Sequence, residues 1–145
     1  MVTISRSMTD DHRRCDDMFV EIEKAIISRD WERADALAKQ FEQAMEHHFS
    51  IEEDYLFPAI QQASIQTSGP VKVMTMEHDQ MRYLISSLTS AIAEQVKSQA
   101  LGVIETLLVM MQQHNMKEEQ ILYPMADTVV PVLEDEISRR VMETA

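Results

Sequence analysis

Two glycines and four prolines in 145 residues leave few places for tight turns, which argues against a multi-stranded sheet and against a disordered chain. A single cysteine, Cys15, excludes an internal disulfide framework and fits a reducing compartment. Thirteen basic residues stand against 25 acidic ones, a formal charge of −12. Such a chain lacks the basic footprint that nucleic acid or an anionic membrane surface needs. It has no apolar run long enough to span a bilayer, and no basic start followed by an apolar stretch as in a signal peptide. What abounds instead are good helix formers: Ala, Leu, Met, Glu, Gln, Lys and Arg. The expectation is one acidic, cytoplasmic, all-α domain over residues 1–145, large enough to bury a core.

The chain also repeats itself. "MTDDH" at 8–12 returns as "MTMEH" at 74–78, an offset of 66. The same offset carries His48 onto His114, Glu52 onto Glu118 and Pro58 onto Pro124. Met8, His12, Cys15, Phe19, Ile22 and Ile26 advance in steps of three and four, and Met74, His78, Met81, Ile85, Leu88 and Ile92 follow them. Phe41, Met45, His48, Glu52, Tyr55 and Ala59 correspond to Leu107, Met111, His114, Glu118, Ile121 and Met125 in the same way. Steps of three and four mark one face of an α-helix, so the pattern predicts four amphipathic helices in two similar hairpins, about 7–62 and 71–127.

Histidine spacing predicts how those helices run. His12 and His48 are separated by 36 residues, as are His78 and His114. If antiparallel neighbours hold such pairs at one level, the turns fall at Asp30, Ala63 and Val96. Asp30 is a good N-cap for a helix starting at Trp31, and Ala63 adjoins "SIQTSGP" with its Gly69-Pro70 breaker. Polar "KSQ" at 97–99 follows Val96. An up-down-up-down four-helix bundle with one histidine layer results. Pro58 and Pro124 are expected to kink or end their helices, and "VLEDEISRRVMETA" to form a short packing helix, about 131–144.

His48 with Glu52, and His114 with Glu118, lie one helical turn apart on the apolar stripe, so the interior receives four histidines and two glutamates. Burying a carboxylate without a partner costs several kcal/mol, and no Lys or Arg on the stripes neutralises these two. A divalent cation would, and two fit six donors better than one: each metal holds two histidines while the glutamates bridge. Mixed imidazole and carboxylate donors with open positions point to iron, with zinc or manganese as substitutes. The candidate metal ligands are therefore His12, His48, Glu52, His78, His114 and Glu118. No nucleophile–base pair, phosphate loop or cofactor fingerprint accompanies them.

"DDH" (10–12), "HFSIEEDYLFP" (48–58), "MEHDQMR" (76–82) and "HNMKEEQILYP" (114–124) together resemble the hemerythrin, or HHE cation-binding, domain over about residues 8–126. The resemblance implies a left-twisted four-helix bundle with a pair of iron ions (Fe2+/Fe3+, oxo- or hydroxo-bridged). In it His12, His48, His78 and His114 are terminal ligands, and Glu52 and Glu118 bridge. Oxygen carriers of this family have a further histidine four residues from the third-helix one, where this chain has Met74 or Arg82. Their last helix spaces His and Asp by five, where this chain has His114 and Glu118, with Glu119 in the five-spaced slot. These departures point away from reversible O2 carriage. They favour a protein that binds, senses or reacts with O2, NO or peroxide; a non-catalytic iron-handling or storage module is the alternative. Any peroxidase or oxidase turnover is expected to be weak, the partner a small diatomic or peroxide ligand, and the assembly a monomer or homodimer.

Neighbouring residues have plainer expectations. His47 lies off the stripe and belongs on the surface, and Glu53 and Glu119 beside the ligands are solvated or support them. Tyr55 is expected on the inner face, as core or as a hydrogen-bond donor to the open metal position. Cys15 reads as a buried, inert thiol and Met74 as a wall of the pocket.

Overall fold

The computed structural model describes residues 2–143; Met1, Thr144 and Ala145 lie outside them, and with them the last residue of the expected 131–144 helix. Every regular element among the described residues is helical. The first rod is α1 (Ile4–Ile27). The second is α2 (Trp31–Ile51), carried through a π-helical turn at Glu52–Leu56 into α3 (Phe57–Ala63). The third is α4 (Ser68–Ala93). The fourth is α5 (Lys97–Lys117), carried through a second π-helical turn at Glu118–Leu122 into α6 (Tyr123–Val129). Last comes α7 (Glu134–Met142). Successive rods pack side by side and the fourth returns to the first, giving an up-down-up-down bundle, with α7 laid across α1 and α2.

Local chemistry explains where the rods begin and turn. Thr3 caps α1 by accepting a hydrogen bond from the Arg6 amide at 3.1 Å, and Asp30 caps α2 by accepting from that of Arg33 at 3.2 Å. Both hairpins close the same way: Arg29 and Gln95 take left-handed φ values of 58° and 59°, and the next residue's amide reaches back to Ala25 and Ala91. Gly69-Pro70 does not end the preceding helix. It sits inside the first turn of α4, where a missing amide hydrogen costs nothing, and the chain reverses at Ser64 instead.

Pro58 and Pro124 neither end nor simply kink their rods. Each follows a π-helical turn in which the Phe57 amide bonds to the Glu52 carbonyl and the Tyr123 amide to that of Glu118. Each wider turn inserts one extra residue and gives the proline ring room. The apolar stripe then slips by one position. Tyr55 and Ile121, expected inside, face outward, and Leu56 and Leu122 are buried in their place. Tyr55 lies under the Arg140 guanidinium, 3.5 Å from ring centre to Cζ. His47 is half-buried against α7, where it donates from Nε2 to the Arg140 carbonyl at 2.7 Å.

The interior has three tiers. One apolar cluster, including Phe19, Ile22, Phe41, Ile85, Leu88 and Leu107, fills the end nearer the two tight hairpin turns. Another, including Ile4, Met8, Leu56, Phe57, Ile60 and Leu122, fills the end covered by α7. Each fully buried side chain of this size contributes about 1.5–3 kcal/mol. Between the two clusters lies a polar tier.

Candidate metal centre

All six residues singled out in the sequence meet in that tier. His12, His48, Glu52, His78, His114 and Glu118 are each at most 5% exposed. Their donor atoms form two overlapping groups: His12, His48, Glu52 and Glu118 in one, and His78, His114, Glu52 and Glu118 in the other. Within each group the donors lie within 4.8 Å of one another. Both glutamates belong to both groups. Glu118 directs Oε1 to His12 Nε2 at 3.0 Å and Oε2 to His114 Nε2 at 3.2 Å. Glu52 places Oε1 3.0 Å from His78 Nε2 and 3.6 Å from His48 Nε2.

The histidines keep Nε2 toward the centre because a carboxylate holds the other ring nitrogen of each. Asp11 bonds His48 Nδ1 at 2.7 Å, Glu53 bonds His78 at 2.6 Å, Glu77 bonds His114 at 2.9 Å, and Glu119 bonds His12 at 2.7 Å. The pattern is cyclic: an acid on each rod grips the histidine of the next, and the fourth rod's acid returns to the first. Such contacts fix the tautomer and make the inward nitrogen a better donor. Glu53 and Glu119 thus serve as supports. Asp11 and Glu77, the residues just before His12 and His78, were passed over in the sequence although they share its 66-residue offset.

A second omission is Tyr123, which is fully buried. Its hydroxyl donates to Glu52 Oε2 at 2.6 Å and lies 2.9 Å from Glu118 Oε1, 3.1 Å from His12 Nε2 and 3.3 Å from His48 Nε2. It stands in the middle of the first group. The equivalent place in the first hairpin is Phe57, which stacks beside His78 at 5.8 Å, while Phe49 stacks on the same ring at 4.1 Å. The second group is therefore walled by phenyl rings and the first by a phenol. The paired aromatics before Pro58 and Pro124 were the sequence signal for this difference.

The donor set fits a metal. Among buried side-chain atoms without a hydrogen-bond partner are Glu52 Oε1, His78 Nε2, His114 Nε2 and Glu118 Oε2, and all four belong to the second group. Glu52 Oε1 and His78 Nε2 are close but misaligned for a hydrogen bond. Each such orphan costs about 1–3 kcal/mol unless something else satisfies it. The charge balance agrees. Six carboxylates in and around the tier meet three fixed cations, Arg14, Arg82 and Lys117, leaving a net negative tier when the imidazoles are neutral.

That charge controls protonation. Burial alone would depress His78, but Glu118, Glu52 and Glu53 override it and hold the imidazole up at about 11. His12 and His48 are raised in the same manner against burial, by Glu118 and Glu119 and by Glu52 and Asp11 respectively. Glu118 is pulled well down, burial notwithstanding, by His114 and its other partners, and Glu53 falls to about 2 beside His78 and Arg82. Burial, reinforced by Glu118 and Glu52, lifts the Tyr123 phenol well above its usual range.

Other expected residues separate from the centre. Cys15 is buried in the apolar cluster, its thiol pushed up to about 11 by burial, which suits an inert role. Met74 packs in the opposite cluster. Arg82 points outward and clamps Glu53 and Glu46 with contacts of 2.9–3.0 Å.

None of the described helices is long and apolar enough to cross a membrane. Among known proteins, no curated protein and no solved structure matched the chain. The family model described as hemerythrin HHE cation-binding domain matches residues 3–126, which contain all four rods up to α6 and every side chain of the polar tier named above. With two buried His/Glu groups suited to cations at its centre, the chain belongs to the hemerythrin HHE cation-binding domain family.

Proposed function

We propose that this chain is a non-haem di-iron protein of the cytoplasm that binds, senses or reacts with O2, NO or peroxide. The observation that carries this reading is the pair of four-donor groups sharing both glutamates. His12 and His48 would hold one iron, His78 and His114 the other, with Glu52 and Glu118 bridging. Imidazole and carboxylate donors suit iron, manganese or zinc, and four protein donors leave an octahedral ion with open positions. A bound iron pair supplies those positions and one-electron chemistry.

The remaining steps belong to the protein. Asp11, Glu53, Glu77 and Glu119 retain the Nδ1 protons and so keep the four rings aimed inward. Phe49 and Phe57 exclude water beside His78. Tyr123 carries the phenol proton at the first group and would hydrogen-bond a small guest bound there.

The test is metal content per chain on protein from iron-replete cells, with optical spectra before and after azide and peroxide. Two irons and a guest-sensitive near-ultraviolet band are expected. One colourless zinc without spectral response would reduce the function to cation binding. The Glu52→Ala, Glu118→Ala double variant should lose most of its metal; unchanged stoichiometry would sink the ligand assignment.

A further inference from the structure

The four carboxylates that hold the histidines are not equivalent. Three are sealed by a cation: Asp11 by Arg14 at 2.8 Å, Glu53 by Arg82 at 3.0 Å and Glu77 by Lys117 at 2.6 Å. Glu119 has none. Among the described residues its only charged contact is His12, and its side chain is the most exposed of the four at 36%. Glu119 also lines a groove of about 430 Å³ between α1 and α5, together with Asp16, Val20, Gln112, Asn115 and Met116. No Lys or Arg lines this groove. A second hollow, between α2 and α4, has Glu42 and Glu46 at its rim, but there Arg82 stands between solvent and Glu53.

From this asymmetry we infer that the α1–α5 groove is the port by which divalent cations reach the buried centre, with Asp16 gathering the ion and Glu119 the movable gate. The inference rests on the metal-binding reading above. At three corners the carboxylate is already paired with an Arg or Lys side chain, which an approaching cation would have to displace. The fourth presents two carboxylates and three amide side chains, Gln112, Asn115 and Gln120, that can replace part of its hydration. A groove lined by one sign of charge also raises the local concentration of its counter-ion. Beyond Glu119 lies His12, whose Nε2 faces the first donor group. Swinging Glu119 outward breaks only one hydrogen bond, while each of the other three carboxylates would also have to leave a cation.

Loading of metal-free protein with Co2+ alone, followed by its visible absorption in a stopped-flow instrument, tests the port. Asp16→Lys reverses the charge at an exposed position and Val20→Trp narrows the groove; Glu42→Lys makes the same charge change on the α2–α4 face. Asp16→Lys should slow loading about tenfold or more and weaken its dependence on ionic strength. Val20→Trp should slow it without altering that dependence, and Glu42→Lys should match the unaltered protein. The final cobalt content should be equal in all four proteins. Equal rates throughout, or Glu42→Lys as slow as Asp16→Lys, would overturn the port and leave the centre standing. No cobalt uptake by the unaltered protein would overturn both.

Discussion

Tyr123 breaks the symmetry that the six candidate ligands otherwise keep. Its counterpart Phe57 has no hydroxyl, so only one donor group contains a phenol, and that phenol hydrogen-bonds both shared glutamates. In the metal-free protein its proton goes to Glu52 Oε2, which has no other donor among the described residues, while Glu118 Oε1 also faces His12 Nε2 at 3.0 Å. Tyr123→Phe should therefore destabilise the metal-free protein by about 1–3 kcal/mol, the usual cost of leaving such a group unpaired. Bound metal gives the same oxygens another partner, so the loss should shrink once the centre is filled. Urea unfolding of both proteins, each with and without metal, measures the two differences. An equal loss in both conditions would mean that the hydroxyl contributes by packing and not through the glutamates.

The rods show which features the amino-acid order made legible. Helical periodicity, the histidine layer and the three reversals follow from spacing alone, because buried positions on a straight helix recur every three or four residues. That rule fails after Glu52 and Glu118, where the π-helical turns add a residue and move the inward face from Tyr55 to Leu56 and from Ile121 to Leu122. Prolines ten residues after His48 and His114 were the visible trace of those turns, yet they read as breaks. Asp11 and Glu77 were illegible for another reason: a carboxylate beside a ligand histidine looks solvated until the adjacent rod shows which ring it holds. The hairpin turns carry a further local cost. Arg29 and Gln95 occupy left-handed backbone that suits glycine, at about 1–2 kcal/mol each for a residue with a Cβ. Part of that penalty is offset because glycine is freer in the unfolded chain. Arg29→Gly and Gln95→Gly should each raise stability by about 0.5–1 kcal/mol, seen as a higher unfolding midpoint. A destabilised single variant would show that the side chain contributes more than the backbone strain costs.

Across the entire chain, two opposed sets of shifted groups give metal-free and metal-loaded protein different responses to pH. Asp11, Glu53, Glu77 and Glu118 are held low. Their contribution is present above the ordinary carboxylate range and is lost as pH falls, for Glu53 toward about 2. His12, His48 and His78 are held high in the metal-free protein. Their contribution is complete below the ordinary imidazole value of 6.5 and is lost as pH rises, for His78 toward about 11. Metal-free protein is thus most stable in mildly acidic solution and weakens as it is made alkaline, because deprotonated imidazoles no longer balance the carboxylates around them. Metal reverses the alkaline limb: it binds only deprotonated Nε2, so rising pH removes its proton competitor and strengthens its hold. The unfolding temperature of metal-free protein should therefore fall between about pH 6 and pH 9, while that of loaded protein holds steady or climbs. Loading near neutral pH should also release protons, which calorimetry in buffers of different ionisation enthalpy would count. Parallel pH profiles for the two forms, with no proton release, would mean that the imidazoles are not where the metal binds.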